Sequence, residues 1–352
     1  MNDFRHIQFK FKWLDDEGNQ AGFLNKKGAF DGETLTLDET AIPAAAIVDM
    51  RSRQTIAVIS VLADEVVTLA FAVNSGNVQQ LKQAIDISRS RAHADFHKQE
   101  LIDKGRGAAY REEICPFCSA TTVMTDMEKT PQLYCHYCDS LITIENRQMA
   151  PPNEHDFRLC DECGLYSKPR KFTVFYFYFL LVVYGWRYRT TWRCPACMRN
   201  DAWLMLLGNL PFVLGVPVAI VQLIRSYGGS VSSPAFAGLD SANIKVTKGD
   251  ISGAVKKYSE IVQRIPFCAG VKYNLATGLL RQKDLEHAKQ TLLLALEDCS
   301  NYTPAFNALC HCYEQTGDQA ALQRLRKQWG IEDGETPDED LQGKIVTSEL
   351  DD

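Results

Sequence analysis

The sequence predicts a multidomain α+β protein. Three observations carry the prediction: β-branched runs of period two before residue 75, eight cysteines in four identical pairs between 115 and 197, and a 34-residue helical period after residue 240. At 352 residues the chain is long enough for two or three domains. Its composition, 45% hydrophobic and 23% charged, is that of a globular protein and excludes global disorder. Net charge is −6, yet residues 331–352 hold nine acids against one lysine, so the remainder is close to neutral. That is not the balance of a nucleic-acid-binding chain. Residues 1–10 carry no long apolar run, so no cleavable signal peptide is expected, and thiolates held by metal point to a reducing compartment.

Strands are expected at 6–13, 22–30, 33–37, 47–51, 55–62 and 66–73, with turns at Asp15-Asp16-Glu17-Gly18-Asn19 and Asp31-Gly32. After Asn74-Ser75-Gly76 the period lengthens, and Val78, Leu81, Ile85, Ser88, Ala92 and Phe96 line one face of a helix. Lys27-Gly28-Ala29-Phe30-Asp31-Gly32 leads into Leu35-Thr36-Leu37, then Ile42-Pro43 before Ile47. Over about the first 95 residues this pattern resembles a bacterial pleckstrin-homology-like domain. The resemblance implies a β-barrel-like domain with a closing helix across 1–104. The first loop is basic in lipid-binding members of that family and is Asp15-Asp16-Glu17 here, so a protein-interaction or packing module is expected. Gly105-Arg106-Gly107 marks the break that follows; without a third glycine it is no dinucleotide fingerprint.

The pairs Cys115/Cys118, Cys135/Cys138, Cys160/Cys163 and Cys194/Cys197 are separated by 16, 21 and 30 residues. Two thiolates with two residues between them fit on one tight turn, and two such turns complete a four-thiolate tetrahedron around zinc. Two structural zinc ions are therefore expected, with no ligand position left for water, in sequential or crossed connectivity. In sequential order the segments 112–146 and 157–200 resemble two zinc ribbons. The 30-residue gap and Trp192-Arg193-Cys194-Pro195 of the second also resemble rubredoxin, which would mean iron and electron transfer, although the acidic loop of that family is missing. His136 and His155 are expected at the surface rather than on the metal.

The run from Phe172 to Tyr184 is 13 residues long. As a helix it would measure about 20 Å, short of the roughly 30 Å hydrocarbon core. Its aromatic and β-branched content predicts the long hairpin of the second module. Residues 202–224 follow, 23 in a row without a charge, with Trp203, Arg225 and Tyr227 as interfacial anchors. A transmembrane helix within 202–227 is expected, Gly208, Asn209, Pro211, Gly215 and Pro217 allowing a re-entrant hairpin or a buried soluble hairpin instead. Arg187, Arg189, Arg193 and Arg199 precede it and place the cysteine modules on the cytoplasmic side.

In the last third, Gly249-Asp250, Lys283-Asp284 and Gly317-Asp318 recur at the 34-residue interval, each expected at a turn between two helices. Ala254 and Ala288, followed by Tyr258 and Leu292, match at the packed positions of the second helix. Residues 241–330 resemble an array of tetratricopeptide repeats. The resemblance implies a protein or peptide ligand on the inner face of the first helices, where Tyr273, Asn274, Thr277, Arg281, Asn307 and His311 fall. Cys310-His311-Cys312 is no chelate, because residues two apart on a helix point away from one another. The tail 331–352 is expected to be acidic and disordered.

No phosphate loop, nucleophile elbow or paired-histidine zinc helix occurs, so an enzyme with a small-molecule substrate is not expected. The sequence points to a membrane-associated, zinc-stabilised adaptor or scaffold. A zinc-ribbon nucleic-acid factor is the alternative from another class, supported by Lys168, Arg170, Lys171, Arg187, Arg189 and Arg193 among aromatics; a rubredoxin-like electron carrier is the other.

Overall fold

Alternation of buried and exposed residues builds the first sheet. In strand β1 (Ile7–Trp13), Ile7, Phe9 and Phe11 are buried while Gln8 and Lys10 face water. The computed structural model describes residues 6–331 apart from 16–17, 64, 146–152, 181–182, 211–215, 228–233 and 266. The acidic tail beyond residue 331 lies outside the described residues. The chain divides into two units, 1–126 and 127–352.

In the first unit β1 is joined by β2 (Lys26–Phe30), β3 (Thr34–Leu37), β4 (Thr40–Pro43), β5 (Ile47–Arg53), β6 (Ile56–Leu62) and β7 (Val66–Ser75). All pairings are antiparallel, in the order β4-β3-β2-β1-β7-β6-β5. The expected barrel is corrected here: the sheet is open, with β4 and β5 as its edges and no pairing between them among the described residues. Helix α1 (Val78–Asp103) covers the gap instead, packing on β5 and on the short turn Ala44–Ala46 that joins the two edge strands. Asn77 caps α1 by accepting from the backbone of Gln79 and Gln80, and Val78, Leu81, Ala84 and Ile85 enter the sheet's core.

The apolar stripe of α1 does not stay on one line. Phe96, expected inside, is 73% exposed, whereas Ala94 and Leu101 are buried. The second half of α1 turns a different face to strand β9 (Thr121–Val123), which pairs with β8 (Glu112–Ile114); the Ser90 hydroxyl accepts from the Thr121 N–H at 3.0 Å. At the junction of the two faces Arg89 is buried, paired with Asp86 at 2.8 Å and donating to the Val48 carbonyl.

The second unit begins with two short hairpins, β10 (Gln132–Cys135) with β11 (Ser140–Thr143) and β12 (Arg158–Leu159) with β13 (Tyr166–Ser167). The expected long hairpin is present: β14 (Arg170–Leu180) pairs with β15 (Val183–Arg193) in unbroken register from Arg170↔Arg193 to Leu180↔Val183. The expected transmembrane helix is not. Residues 202–227 are divided between α2 (Pro195–Asn209) and α3 (Val216–Tyr227), and no helix of the described residues is long and apolar enough to cross a membrane. Pro217, in the first turn of α3, has no N–H to donate to a helix continuing from before it. The two helices pack on each other and on the root of β14, where Phe172, Met198, Ala202, Met205 and Ala219 form a buried cluster. Arg170 donates to the carbonyl of Arg225 and Arg199 to that of Ser226, satisfying the C-terminal end of α3.

Three helix pairs follow: α4 (Leu239–Thr247) with α5 (Ile251–Arg264), α6 (Ala269–Arg281) with α7 (Leu285–Asp298), and α8 (Thr303–Thr316) with α9 (Gln319–Gln328). The 34-residue period is a repeated turn. Gly249, Lys283 and Gly317 each take a left-handed φ, of 78°, 61° and 69°. The next residue, Asp250, Asp284 or Asp318, caps the second helix by accepting from Gly253, His287 or Ala321. Lys283 is the one side chain forced into a conformation that glycine takes freely. Lys283→Gly is expected to stabilise the protein by about 1 kcal/mol, and Asp284→Ala to destabilise it by about 1 kcal/mol. Urea unfolding of both variants, compared with the parent, checks the signs.

Candidate metal centres and the groove they fill

Each cysteine pair is shaped by its local backbone. The Cys115 N–H donates to the carbonyl of Ala120 at 2.9 Å and the Ser119 N–H to that of Cys115 at 2.9 Å, closing a tight loop. Cys160, Gly164 and Leu165 repeat this pattern at 2.9 and 3.0 Å. The residue after the second cysteine is left-handed in three pairs: Ser119, Asp139 and Gly164. Such a turn sends the chain back as a strand with both sulfurs on its inner side. The last pair is built otherwise. Cys194 is the N-cap of α2 and Pro195 opens the helix, so Cys194 and Cys197 lie on its first turn.

The sulfurs gather in two groups, Cys115, Cys118, Cys135 and Cys138, and Cys160, Cys163, Cys194 and Cys197, each with all ligand atoms within 4.8 Å. The connectivity is thus sequential rather than crossed. All eight thiols are free of disulfides. Backbone N–H groups point at sulfur, from Cys118 to Cys115 at 3.5 Å, from Cys197 to Cys194 at 3.5 Å and from Cys194 to Cys160 at 3.2 Å. In the second group Cys160 is held well below the ordinary thiol range because Cys163 first, then Cys194 and Cys197, hydrogen-bond to it, while the same crowding pushes Cys194 up. Four thiols this close cannot all ionise without a cation among them. The donor set therefore fits two metal ions, each with four sulfur ligands and none left for water. Neither His136 nor His155 belongs to a group.

The outer sides of the two hairpins rest on the helical array. The Tyr134 N–H in β10 donates to the Asn301 side-chain oxygen at 2.9 Å, and the Asn301 amide donates back to the Tyr134 carbonyl at 2.7 Å. In β13, Tyr166 makes the same pair of bonds with Asn274, both at 2.7 Å. One amide thus satisfies both backbone groups of one strand residue, as a neighbouring strand would. Asn243, held by the Tyr258 hydroxyl at 2.6 Å, adds a second donor to the Tyr166 carbonyl at 3.2 Å. Gln132 accepts from the Ala269 N–H at the start of α6.

Packing follows the hydrogen bonds. Tyr134 meets Tyr302 edge-on at 5.3 Å, and Phe157 packs on Phe236 at 4.6 Å. The Tyr166 ring lies so close to α6 that a Cβ on Gly270 would fall 2.4 Å from it. Tyr134, Leu141, Phe157, Leu165 and Tyr166 consequently share one continuous core with the inner residues of the array.

This placement corrects the sequence-based view of the groove. Tyr273 and Asn274, expected to face a partner, are buried, and Asn274 is bound to the second module of the same chain. Thr277, Asn307 and His311 are half-buried and Arg281 is exposed. Asn243 and Asn301 were not singled out by the sequence, where a lone asparagine near a helix end reads as a turn or cap residue. Cys268, Cys310 and Cys312 are packing thiols, which burial pushes up to about 12, 11 and 11. No protein-family model matches the chain, and no characterised protein matches it in sequence.

Removing the Asn301 amide leaves the Tyr134 N–H and carbonyl buried without partners. Asn301→Ala is therefore expected to cost about 2–3 kcal/mol while every cysteine ligand stays in place. Urea unfolding combined with elemental analysis checks this: lower stability at unchanged metal content is the expected outcome.

Proposed function

We propose that the protein is a membrane-associated adaptor whose middle and C-terminal segments are joined into a single platform by two structural zinc ions. The observation that carries this proposal is the seating of both cysteine modules on the helical array through Asn274 and Asn301. Eight sulfurs committed to two closed four-thiolate sites supply rigidity rather than chemistry. Zinc is the metal favoured by such shells in a structural role, and Cys115, Cys118, Cys135 and Cys138 would hold one ion while Cys160, Cys163, Cys194 and Cys197 hold the other.

The finer family readings serve this function. Three helix pairs with capped turns at a 34-residue interval support a tetratricopeptide-like array, and seven antiparallel strands with one covering helix support a pleckstrin-homology-like module. In the array the part of the groove left to a protein or peptide partner is the end carrying Arg281, with Thr277, Asn307 and His311 beside it in the repeat pattern. An exposed guanidinium there suits a partner carboxylate. Attachment to the membrane falls to the apolar residues of 202–227, as a surface or re-entrant element placed on the cytoplasmic side.

Two measurements test the proposal. Elemental analysis of purified full-length protein is expected to give two zinc ions per chain; a red, iron-loaded protein would replace the adaptor by a rubredoxin-like carrier. Arg281→Glu is expected to weaken capture of partners from solubilised membranes severalfold without changing the circular dichroism spectrum, and unchanged capture would remove the groove from the binding site.

A further inference from the structure

The β14–β15 hairpin has two unlike faces. At its root the face carrying Phe172, Thr191 and Arg193 is buried, Phe172 lying in the cluster formed with α2 and α3. The opposite face carries Lys171 and Trp192, which are exposed, Trp192 by 44%. Directly paired residues share a face and alternate along the strands. The register Phe175↔Tyr188, Phe177↔Trp186 and Phe179↔Tyr184 therefore continues the Lys171/Trp192 face, the one α2 and α3 do not cover at the root, with six aromatic residues. Arg187 and Arg189, opposite Tyr176 and Val174, fall on the other face.

The helices beside the hairpin repeat the theme. Trp203, Leu204 and Leu207 on α2 and Ile220, Val221, Ile224 and Tyr227 on α3 are exposed. Charge adds a second, independent signal: between Gly164 and Leu239 the sequence has eight lysines and arginines and a single acid, Asp201, in a chain whose net charge is −6.

We infer that the aromatic face of the β14–β15 hairpin, together with the exposed stripes of α2 and α3, docks onto an anionic lipid surface. This inference rests on the membrane-associated reading above and names the element that makes the contact and the lipid it prefers. Aromatic side chains favour the headgroup level of a bilayer, and arginines are attracted to its lipid phosphates. An aromatic face backed by cations, with no acid along either strand, is complementary to negative lipid. Single-stranded nucleic acid is the competing ligand for aromatics and arginines together. It calls for both on one face, where bases stack while the backbone is neutralised; the face with six aromatics carries no arginine, and beyond the buried Phe172 the arginine face has only Tyr176 and Tyr178 beside Val174, Leu180 and Val183.

Vesicle sedimentation of the full-length, metal-loaded protein tests the inference. The parent is expected to bind vesicles of phosphatidylcholine with phosphatidylglycerol and to bind phosphatidylcholine alone much less. The cross-strand double variant Phe177→Asp/Trp186→Asp is expected to lose binding by roughly tenfold or more, as is Arg187→Glu/Arg189→Glu. Metal content and circular dichroism should match the parent in both. If the parent binds but both variants bind equally well, the hairpin is not the contact and the membrane reading stands through α2 and α3 alone. Failure of the parent to bind vesicles, or its preference for a single-stranded oligonucleotide, overturns the inference and the membrane reading together.

Discussion

A two-stranded hairpin of two to four residues per strand cannot hold its shape in water, and three of the four cysteine-bearing turns lie on such hairpins. Two of them, β10–β11 and β12–β13, are held from both sides. The sulfur groups fix the turns, and the side-chain amides of Asn274 and Asn301 complete the backbone hydrogen bonding on the far side. Everything else in the second unit depends on this arrangement, because Tyr134, Leu141, Phe157 and Tyr166 fill space that the helix pairs would otherwise expose.

The magnitudes rank the two supports. Structural zinc contributes on the order of 10 kcal/mol of folding free energy, whereas an amide that satisfies two backbone groups contributes a few kcal/mol at most. With the proposed zinc bound, the amides place the hairpins and the metal keeps them. A consequence is that the inner face of the array is covered by the two hairpins at Asn274 and Asn301. At its margin Arg281 is exposed, which is where the proposed partner would bind.

Much of this was legible in the sequence wherever chemistry repeats at a fixed spacing. Cysteines with two residues between them announced their turns, and the Gly-Asp and Lys-Asp steps announced the caps between helices. Strand β4 escaped notice because only Ile42 of its four residues is buried and it ends in proline. The barrel failed because closure depends on whether edge strands meet, which period-two patterning does not encode. Residues 202–227 read as a span by hydropathy, which counts charges and not breaks, whereas the structure divides them between α2 and α3. The roles of Asn274 and Asn301 lay out of reach for a different reason. Their partners are backbone atoms of Tyr166 and Tyr134, 108 and 167 residues away, which leave no mark in the side-chain pattern.

The central claim is that metal in the cysteine groups keeps the modules seated on the array. Hydrogen exchange read by mass spectrometry, on full-length protein before and after chelation, measures this directly. Loss of metal is expected to deprotect β10, β13 and also the amides at the start of α6 and α8, where Ala269 and the Asn301 turn meet the modules. Deprotection confined to the cysteine turns, with α6 and α8 exchanging as before, would contradict it.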